Sequence, residues 1–176
     1  MNLLKPQSIF IVTLGLVLFF SSCKEQEGCT DLLALNYNLN AVQDNGSCKY
    51  LSENFVGIYG IKDSITGGML VGEWEAERNY TMEIVQDEDN PSQIIIRNWA
   101  QIHNYTDNSS DDYTQVSAYV NGDSLFVEFQ EIINTNSYKA HNSCGKIIVD
   151  SIFYDFEYEN FFGEVFWGTA SGIKIE

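Results

Sequence analysis

From residue 53 to the C-terminus, apolar residues recur at every second position. The alternation is clear at Leu125, Val127 and Phe129, and again along residues 151–158. A period of two is that of a β-strand with one face toward a core and the other toward water. The pattern predicts strands, of which one or two are expected to merge or fail, at 55–62, 69–76, 79–86, 93–99, 114–120, 124–131, 144–149, 151–158 and 163–170.

Turn-forming residues separate these spans. Asn121-Gly122, between two apolar runs, is a strong hairpin signal. Thr66-Gly67-Gly68 and the polar segments 87–91 and 106–112 also indicate turns or loops. Short strands at close spacing predict an all-β fold, a small antiparallel meander barrel of about eight strands. A β-sandwich is the alternative that the pattern leaves open.

Composition and charge narrow the functional classes. The chain has 176 residues, 44% hydrophobic and 14% aromatic, which is enough for a packed core and excludes disorder of the whole chain. Its formal net charge is −16 and its pI is about 4.2. Such acidity argues against nucleic acid, and against anionic lipid, as an electrostatic partner. The strand pattern predicts one folded domain over residues 53–176.

Residues 1–22 have the organisation of an export signal. Lys5 supplies a positive charge, and an apolar run of 12 residues from Ile9 to Phe20 is followed by Ser21 and Ser22. A membrane-spanning helix needs about 20 apolar residues, so this run is too short to favour one. We therefore exclude residues 1–22 from the folded domains.

The end of this segment resembles a bacterial lipobox. In Phe20-Ser21-Ser22-Cys23 a small residue precedes a cysteine, and the next residues are Lys24-Glu25-Gln26-Glu27. The resemblance, to surface lipoproteins of Bacteroidota, implies that Cys23 is lipidated and becomes the mature N-terminus. It also implies a membrane as partner through the lipid anchor, at the outer membrane and facing the cell exterior. The alternative is an ordinary secretory signal followed by a structural cysteine.

A short polar segment lies between Cys29 and Cys48. Export places these cysteines in an oxidising compartment, so we expect a Cys29–Cys48 disulfide, which would stabilise a loop of this size by about 3 kcal/mol. Gly28-Cys29-Thr30-Asp31, Asn36-Tyr37 and Asp44-Asn45-Gly46-Ser47-Cys48 resemble a short disulfide module of exported Bacteroidota proteins. The lipidated linker and this module together occupy residues 23–52.

The same segment holds a candidate calcium site. Asp31, Asn36, Asn38, Asn40 and Asp44 offer hard oxygen donors, and the three asparagines alternate as in the start of an EF-hand loop. The glycine and the bidentate glutamate that an EF-hand needs are replaced by other residues. Asn and Asp are also common turn formers, because their side chains hydrogen-bond the nearby backbone. A turn-rich spacer closed by a disulfide is therefore the competing interpretation.

A second resemblance covers most of residues 53–176. Phe55-x-Gly57-x-Tyr59, the strand–Asn-Gly–strand unit at 116–130, and Cys144-Gly145-Lys146-Ile147 are similar to small lipocalin-like domains of Bacteroidota lipoproteins. The resemblance implies a barrel able to enclose a small apolar or amphipathic ligand. The first functional hypothesis is accordingly a non-enzymatic, membrane-anchored lipoprotein that binds such a ligand inside its barrel.

Candidate catalytic groups are few. His103 and His141 lie in polar, loop-like segments without a carboxylate at metal-ligand spacing, and no nucleophile, zinc or phosphate-loop motif is present. Cys144 has no expected partner, and we interpret it as a small residue filling a gap in the core. A thiol or hydrolytic enzyme would need a histidine within hydrogen-bond reach of a nucleophile. We predict that the protein is not an enzyme and, calcium apart, has no cofactor.

Aromatic residues support an alternative hypothesis. Most of them are expected to fill the β core, but Tyr113, Tyr119 and Trp99 fall near loops or opposite the aliphatic face, and the hypothesis requires Trp99, Tyr105 and Tyr113 to be exposed. Exposed aromatic rings of this kind would suit an adhesion module that binds protein or glycan. Oligomeric state and ligand identity are left open by the sequence.

Overall fold

The structure, a computed structural model, describes residues 25–67, 74–102, 114–135 and 137–176. The chain divides into two compact units, Met1–Cys48 and Lys49–Glu176. The expected signal peptide and Cys23 lie outside the described residues. Within them, no helix is long and apolar enough to cross a membrane.

The first unit contains the predicted disulfide, which joins Cys29 and Cys48 across 19 positions of sequence. Two short strands, β1 (Glu27–Gly28) and β2 (Gln43–Asp44), pair in parallel. Other backbone hydrogen bonds form turns, such as the bond from the amide of Ala41 to the carbonyl of Asn38, or join the two ends of the loop, such as the bond from the amide of Val42 to the carbonyl of Gln26. The unit is therefore a turn-rich loop closed by one covalent bond.

The second unit is a closed β-barrel. Two short 3₁₀ helices, η1 (Leu51–Asn54) and η2 (Trp99–Gln101), accompany its strands, and the described residues contain no α-helix. The strands are β3 (Gly57–Gly67), β4 (Trp74–Gln86), β5 (Gln93–Arg97), β6 (Gln115–Asn121), β7 (Ser124–Val127), β8 (Gln130–Glu131), β9 (Lys139–Ala140), β10 (Ser143–Ile148), β11 (Ser151–Glu159) and β12 (Val165–Lys174).

Eight of these strands close into a ring. The order is β3-β4-β5-β6-β7-β10-β11-β12, with β12 pairing back onto β3, and every pair is antiparallel. The short strand β9 pairs with the C-terminal end of β11, and β8 pairs with β9. Each strand of the ring pairs with a neighbour on both sides over part of its length, while residues 74–82 of β4 pair with β3 alone. The prediction of an all-β, eight-stranded antiparallel meander barrel is confirmed.

Strand boundaries differ from the prediction in several places. The described parts of the expected strands 69–76 and 79–86 belong to the single strand β4, while 69–73 lie outside the described residues. β3 continues through Thr66 and Gly67, which we expected to be a turn, because its pairing with β4 runs without interruption from Gly57–Ile84 to Gly67–Trp74. The expected strand 124–131 is interrupted at 128–129 between β7 and β8, and β12 continues to Lys174, beyond the expected end at 170. The expected hairpin is present, and Gly122 has a φ of +62° there.

The core fills the inside of the ring with side chains from alternate strand positions. Burial of these apolar groups, at about 25 cal/mol per Å², is the main force that stabilises the barrel. Gly168 shows how tightly they pack, because a Cβ there would lie 2.2 Å from the carbonyl oxygen of Ser64 and 2.5 Å from the ring of Phe156. The largest fully buried side chains include Trp99, Tyr59, Phe55, Ile65, Met82, Ile84, Ile94 and Ile96.

Candidate functional site

An ion pair lies inside the barrel. Asp63 on β3 faces Arg78 on β4 in the strand register. Arg78 donates from Nε to Oδ1 of Asp63 over 2.9 Å and from Nη2 to Oδ2 over 2.6 Å. The Asp63 side chain is fully buried, whereas 21% of the Arg78 side chain is exposed. A bidentate pair of charge-assisted bonds is the geometry that best compensates for burying a carboxylate.

Tyrosines surround this pair. The hydroxyls of Tyr80 and Tyr154 are 2.7 Å apart, and the Arg78 guanidinium carbon is 5.9 Å from the ring centroids of both Tyr80 and Phe156. The separation from the rings is within the range of cation–π attraction. We call Asp63, Arg78, Tyr80, Tyr154 and Tyr158 the interior polar cluster.

Burial controls the protonation of the interior polar cluster. It raises the pKa values of the Tyr80 and Tyr154 hydroxyls well above their usual range, and it raises the pKa of Tyr158 to about 12. Burial would lower the pKa of Arg78, but hydrogen bonds and Coulombic attraction from Asp63 outweigh it and raise that pKa. The cluster therefore presents a charged guanidinium and neutral hydroxyls at physiological pH.

Trp99 fills part of the barrel interior next to the interior polar cluster. It is 1% exposed, and its ring meets Phe156 and Tyr158 edge-on at centroid distances of 6.1 and 6.4 Å. The backbone enters the interior through left-handed conformations at Asn98 and Ala100, with φ values of 57° and 52°. The expectation that Trp99 could serve as an exposed binding aromatic is therefore wrong. Tyr105 and Tyr113 lie outside the described residues.

Open concave surface is found on the outside of the barrel. Four concavities of about 550, 500, 500 and 320 Å³ lie over the outer face of β10, β11, β12, β3 and β4. They adjoin one another, since Phe153 lines three of them and Asp155 also lines three. We call this connected surface the outer groove, and its residues of interest are Ser64, Thr66, Phe153, Asp155, Trp167 and Thr169.

The strand register determines which groups of the outer groove are neighbours. Thr169 pairs with Ser64 on one side and with Asp155 on the other, which forms a row of two hydroxyls and a carboxylate. Trp167 pairs with Thr66 and is 39% exposed. Phe153 is 47% exposed. The outer groove thus combines aromatic faces with short hydrogen-bonding side chains on a rigid sheet.

His141 contacts two carboxylates. Its Nδ1 lies 2.7 Å from Oε1 of Glu157, and its Nε2 lies 3.5 Å from Oε2 of Glu159. The carboxylates come from a neighbouring strand, which explains why spacing along the chain did not indicate them. In the described part of the chain, no group of three or more His, Cys, Asp or Glu residues is arranged to hold a metal ion. His103 lies outside the described residues.

Cys144 is not in the core. Our expectation of a buried thiol is wrong, because the alternation along β10 places Ser143 inward and exposes Cys144. Cys144 lies in the outer groove beside Asp155.

The calcium candidates form turn hydrogen bonds. Oδ1 of Asp31 accepts from the amide of Leu33, and Oδ1 of Asn38 accepts from the amide of Asn40, at 2.9 and 3.0 Å. Oδ1 of Asp44 accepts from the amide of Gly46 at 2.8 Å. Of the other two candidates, Asn40 donates its backbone amide to Asn38, and Asn36 donates its side-chain amide to the carbonyl of Ser47, 11 positions along the chain. The contacts of Asp31, Asn38 and Asp44 follow the turn-forming interpretation, and calcium binding stays a prediction.

Sequence reasoning missed the Asp63–Arg78 pair and the outer groove. The parity of β3 could have indicated the first, because Asp63 falls on the same face as Tyr59, Ile61 and Ile65. A charged residue at an inward position predicts a buried partner. The outer groove had no comparable signal, since it depends on which strands become neighbours across the closed ring.

Comparisons with known proteins add no relative. No protein-family model matches the chain. No curated protein matches it significantly. The functional argument therefore depends on the geometry of the described residues.

Proposed function

We propose that the protein is a non-enzymatic surface lipoprotein, anchored through acyl chains on Cys23, whose barrel binds a glycan in the outer groove. Two or more acyl chains hold a protein firmly on a membrane, so the barrel needs no membrane-spanning segment of its own. The lipobox-like sequence ending at Cys23 supports the anchor. The outer groove supports the binding role.

The pairing of Trp167 with a hydroxyl-rich strand face carries the glycan proposal. A sugar ring presents an apolar C–H face, which packs on an aromatic ring, and hydroxyls at its edge, which need donors and acceptors. Trp167 supplies the exposed ring, while Ser64, Thr66 and Thr169 supply hydroxyls and Asp155 supplies a carboxylate. Small-ligand sites typically have an apolar surface with a small number of precisely placed polar groups.

Charge narrows the class of glycan. Removal of residues 1–22, which include Lys5 and no acid, changes the formal charge from −16 to −17. The outer groove itself contains the three carboxylates of Asp155, Glu157 and Glu77 and two ammonium groups, those of Lys62 and Lys146, so its local charge is also negative. Both features repel acidic sugars, so we propose a neutral glycan.

A small ligand inside the barrel is the second candidate. The partial exposure of Arg78 favours binding inside the barrel. About 21% of this side chain is accessible to solvent, although its guanidinium lies among tyrosines. An amphipathic ligand could direct its polar end toward this group. We rank this candidate second, because the four concavities described above lie on the outer face and Trp99 occupies the interior.

Binding of purified mature protein to a panel of neutral and acidic glycans tests the proposal. The protein is prepared with Cys23→Ser, so that it lacks the acyl anchor, and affinity is measured by titration calorimetry on the best panel member. We expect Trp167→Ala to weaken binding at least tenfold. Tyr119→Ala is the matched control, because Tyr119 is a strand aromatic of similar exposure, 42%, at the outer surface.

Three results would contradict the proposal. They are unchanged affinity in Trp167→Ala, equal losses in Trp167→Ala and Tyr119→Ala, and no glycan binding by a folded protein. Saturable uptake of an apolar fluorescent probe that Arg78→Met weakens, without glycan binding, would favour the second candidate instead. Mass spectrometry of the protein from its own membrane tests the Cys23 acyl chains separately.

A further inference from the structure

The disulfide module exposes an unusual amount of apolar surface. Leu32, Leu33, Leu35 and Leu39 are 65–80% exposed, and Val42 is 71% exposed. We call the segment 32–42, which contains these side chains, the leucine segment. Leucine is usually among the most buried residue types, so several exposed in one short segment indicate a surface that is covered in use.

The backbone of the leucine segment is held in place by hydrogen bonds. The amide of Leu33 donates to the Asp31 carboxylate, and the amide of Asn38 donates to the carbonyl of Cys29 at 2.9 Å. Among residues 25–48, the described part of this unit, Gly28, Cys29 and Ala34 are buried. Small residues thus occupy the interior, and the large apolar side chains stay outside.

Chain length indicates what covers the leucine segment. Cys23 lies four positions before Glu27, where β1 begins, so a fully extended connection spans about 14 Å. The disulfide keeps residues 29–48 together at the end of that connection. If Cys23 carries acyl chains in a bilayer, the leucine segment is within reach of the same lipid surface.

Charge specifies the mode of contact. Residues 25–48 contain Glu25, Glu27, Asp31 and Asp44 and no lysine or arginine. Attraction to anionic headgroups therefore cannot drive the contact, and insertion of apolar side chains at the interface can.

We propose that the leucine segment inserts into the lipid surface beside the acyl anchor. This inference rests on the proposed anchoring at Cys23. The module would then be a second membrane contact, which limits the tilt of the chain that leaves the anchor.

An environment-sensitive fluorophore tests the insertion directly. Mature protein with Cys23→Ser and Cys144→Ser carries an N-terminal histidine tag and is tethered to phosphatidylcholine vesicles through a nickel-chelating lipid. The tag replaces the acyl chains, so the result does not depend on whether Cys23 is lipidated. The fluorophore is attached at Leu39→Cys, and in a matched protein at Val149→Cys, since Val149 is 87% exposed on the barrel.

We expect a blue-shifted emission and protection from an aqueous quencher at least threefold stronger at position 39 than at position 149. Replacing Leu32, Leu33 and Leu35 by serine should abolish the difference, and added anionic lipid should not increase it. Equal quenching at both positions would overturn the proposal. So would a blue shift in solution that grows with protein concentration without vesicles, because the covering partner would then be a second copy of the chain.

Mass spectrometry distinguishes a failure of the lipid anchor from a failure of insertion by the leucine segment. Vesicle insertion without acyl mass on the native protein would refute the lipid anchor and leave the insertion supported. Acyl mass with equal quenching at both positions would do the opposite.

Discussion

The two units of this chain differ in what stabilises them and in where their large apolar side chains lie. The barrel buries many large apolar side chains in its core, including Trp99, Tyr59 and Ile84, and exposes a groove that combines aromatic rings with hydroxyls. The disulfide module buries small residues and exposes its leucines. The barrel is thus stabilised by a hydrophobic core, whereas the module depends on one covalent bond and local turns. The buried apolar side chains of the barrel therefore have a structural role, whereas the exposed leucines of the module, like the exposed Trp167 of the barrel, are available for contact.

Breaking the buried ion pair should have the largest effect. Asp63→Ala leaves Arg78 without its partner inside the barrel, and we expect a loss of about 3–5 kcal/mol in the free energy of unfolding. The loss should be read from chemical denaturation followed by tryptophan fluorescence. The double variant Asp63→Leu/Arg78→Met should recover most of the stability, because it removes both charges. A loss below about 1 kcal/mol in Asp63→Ala would show that the pair is not buried as described.

Opening the disulfide should affect the module alone. In the variant with Cys29→Ser and Cys48→Ser, we expect the module to lose about 3 kcal/mol of stability, which exceeds what so small a unit can spare. Limited proteolysis should then cut within residues 29–48, while the thermal transition of the barrel stays within a few degrees of the parent. A barrel that melts together with the cleaved module would refute the division into two units.

Alkaline pH should weaken the barrel through its buried tyrosines. Burial, followed by the charge of Asp150, raises the pKa of Tyr59 to about 12 from 10.0, and burial likewise raises that of Tyr158 to about 12. Their neutral forms are favoured in the fold, so this stabilisation is complete below pH 10 and is lost between pH 10 and 12. We expect about 1 kcal/mol of loss per tyrosine by pH 11, measured by denaturation at each pH. Tyr59→Phe should make the decline shallower, and an unchanged slope would contradict the assignment.

The smallest effect is expected one residue away from the largest. Lys62 is adjacent to Asp63 but points outward and meets Glu77 over 3.2 Å, with 60% of its side chain exposed. Because water and salt screen such a pair, Lys62→Ala should cost no more than about 0.5–1 kcal/mol. The same denaturation measurement checks it. A loss equal to that of Asp63→Ala would mean that exposure does not separate the two faces of β3.

Much of the fold could be predicted from the sequence, and particular residues show why. Period-two alternation marked β6 and β11 within a residue or two, because each strand has one buried face. The strand expected at 124–131 was too long, since β7 ends at Val127. The Asn121-Gly122 hairpin was predicted from turn chemistry alone. Some merging of strands was expected, but the sequence did not indicate that it would occur in β4, since the continuity of β4 comes from pairing with β3 rather than from its own residues.

The candidate site was less predictable than the fold. We expected Trp99 near an exposed loop, but it is buried because the backbone turns inward at Asn98. No local sequence pattern predicts the left-handed conformation of Asn98. Trp167 carried no special signal, although it is the exposed ring of the outer groove. Cys144 was expected in the core, but the register of β10 directs the neighbouring Ser143 inward and leaves Cys144 on the outer face.

By itself, the sequence determined the all-β class, about eight antiparallel strands and the cysteine pair that closes the module, because alternation, turn residues and cysteines can be recognised over short stretches of chain. Tertiary structure decided that the strands close into a ring rather than a sandwich, that Asp63 meets Arg78, that His141 meets Glu157, and that Trp167 borders a connected groove. The Asp63–Arg78 contact depends on the register between β3 and β4, and the groove depends on the pairing of β12 back onto β3. No local pattern encodes which positions such pairing brings opposite one another.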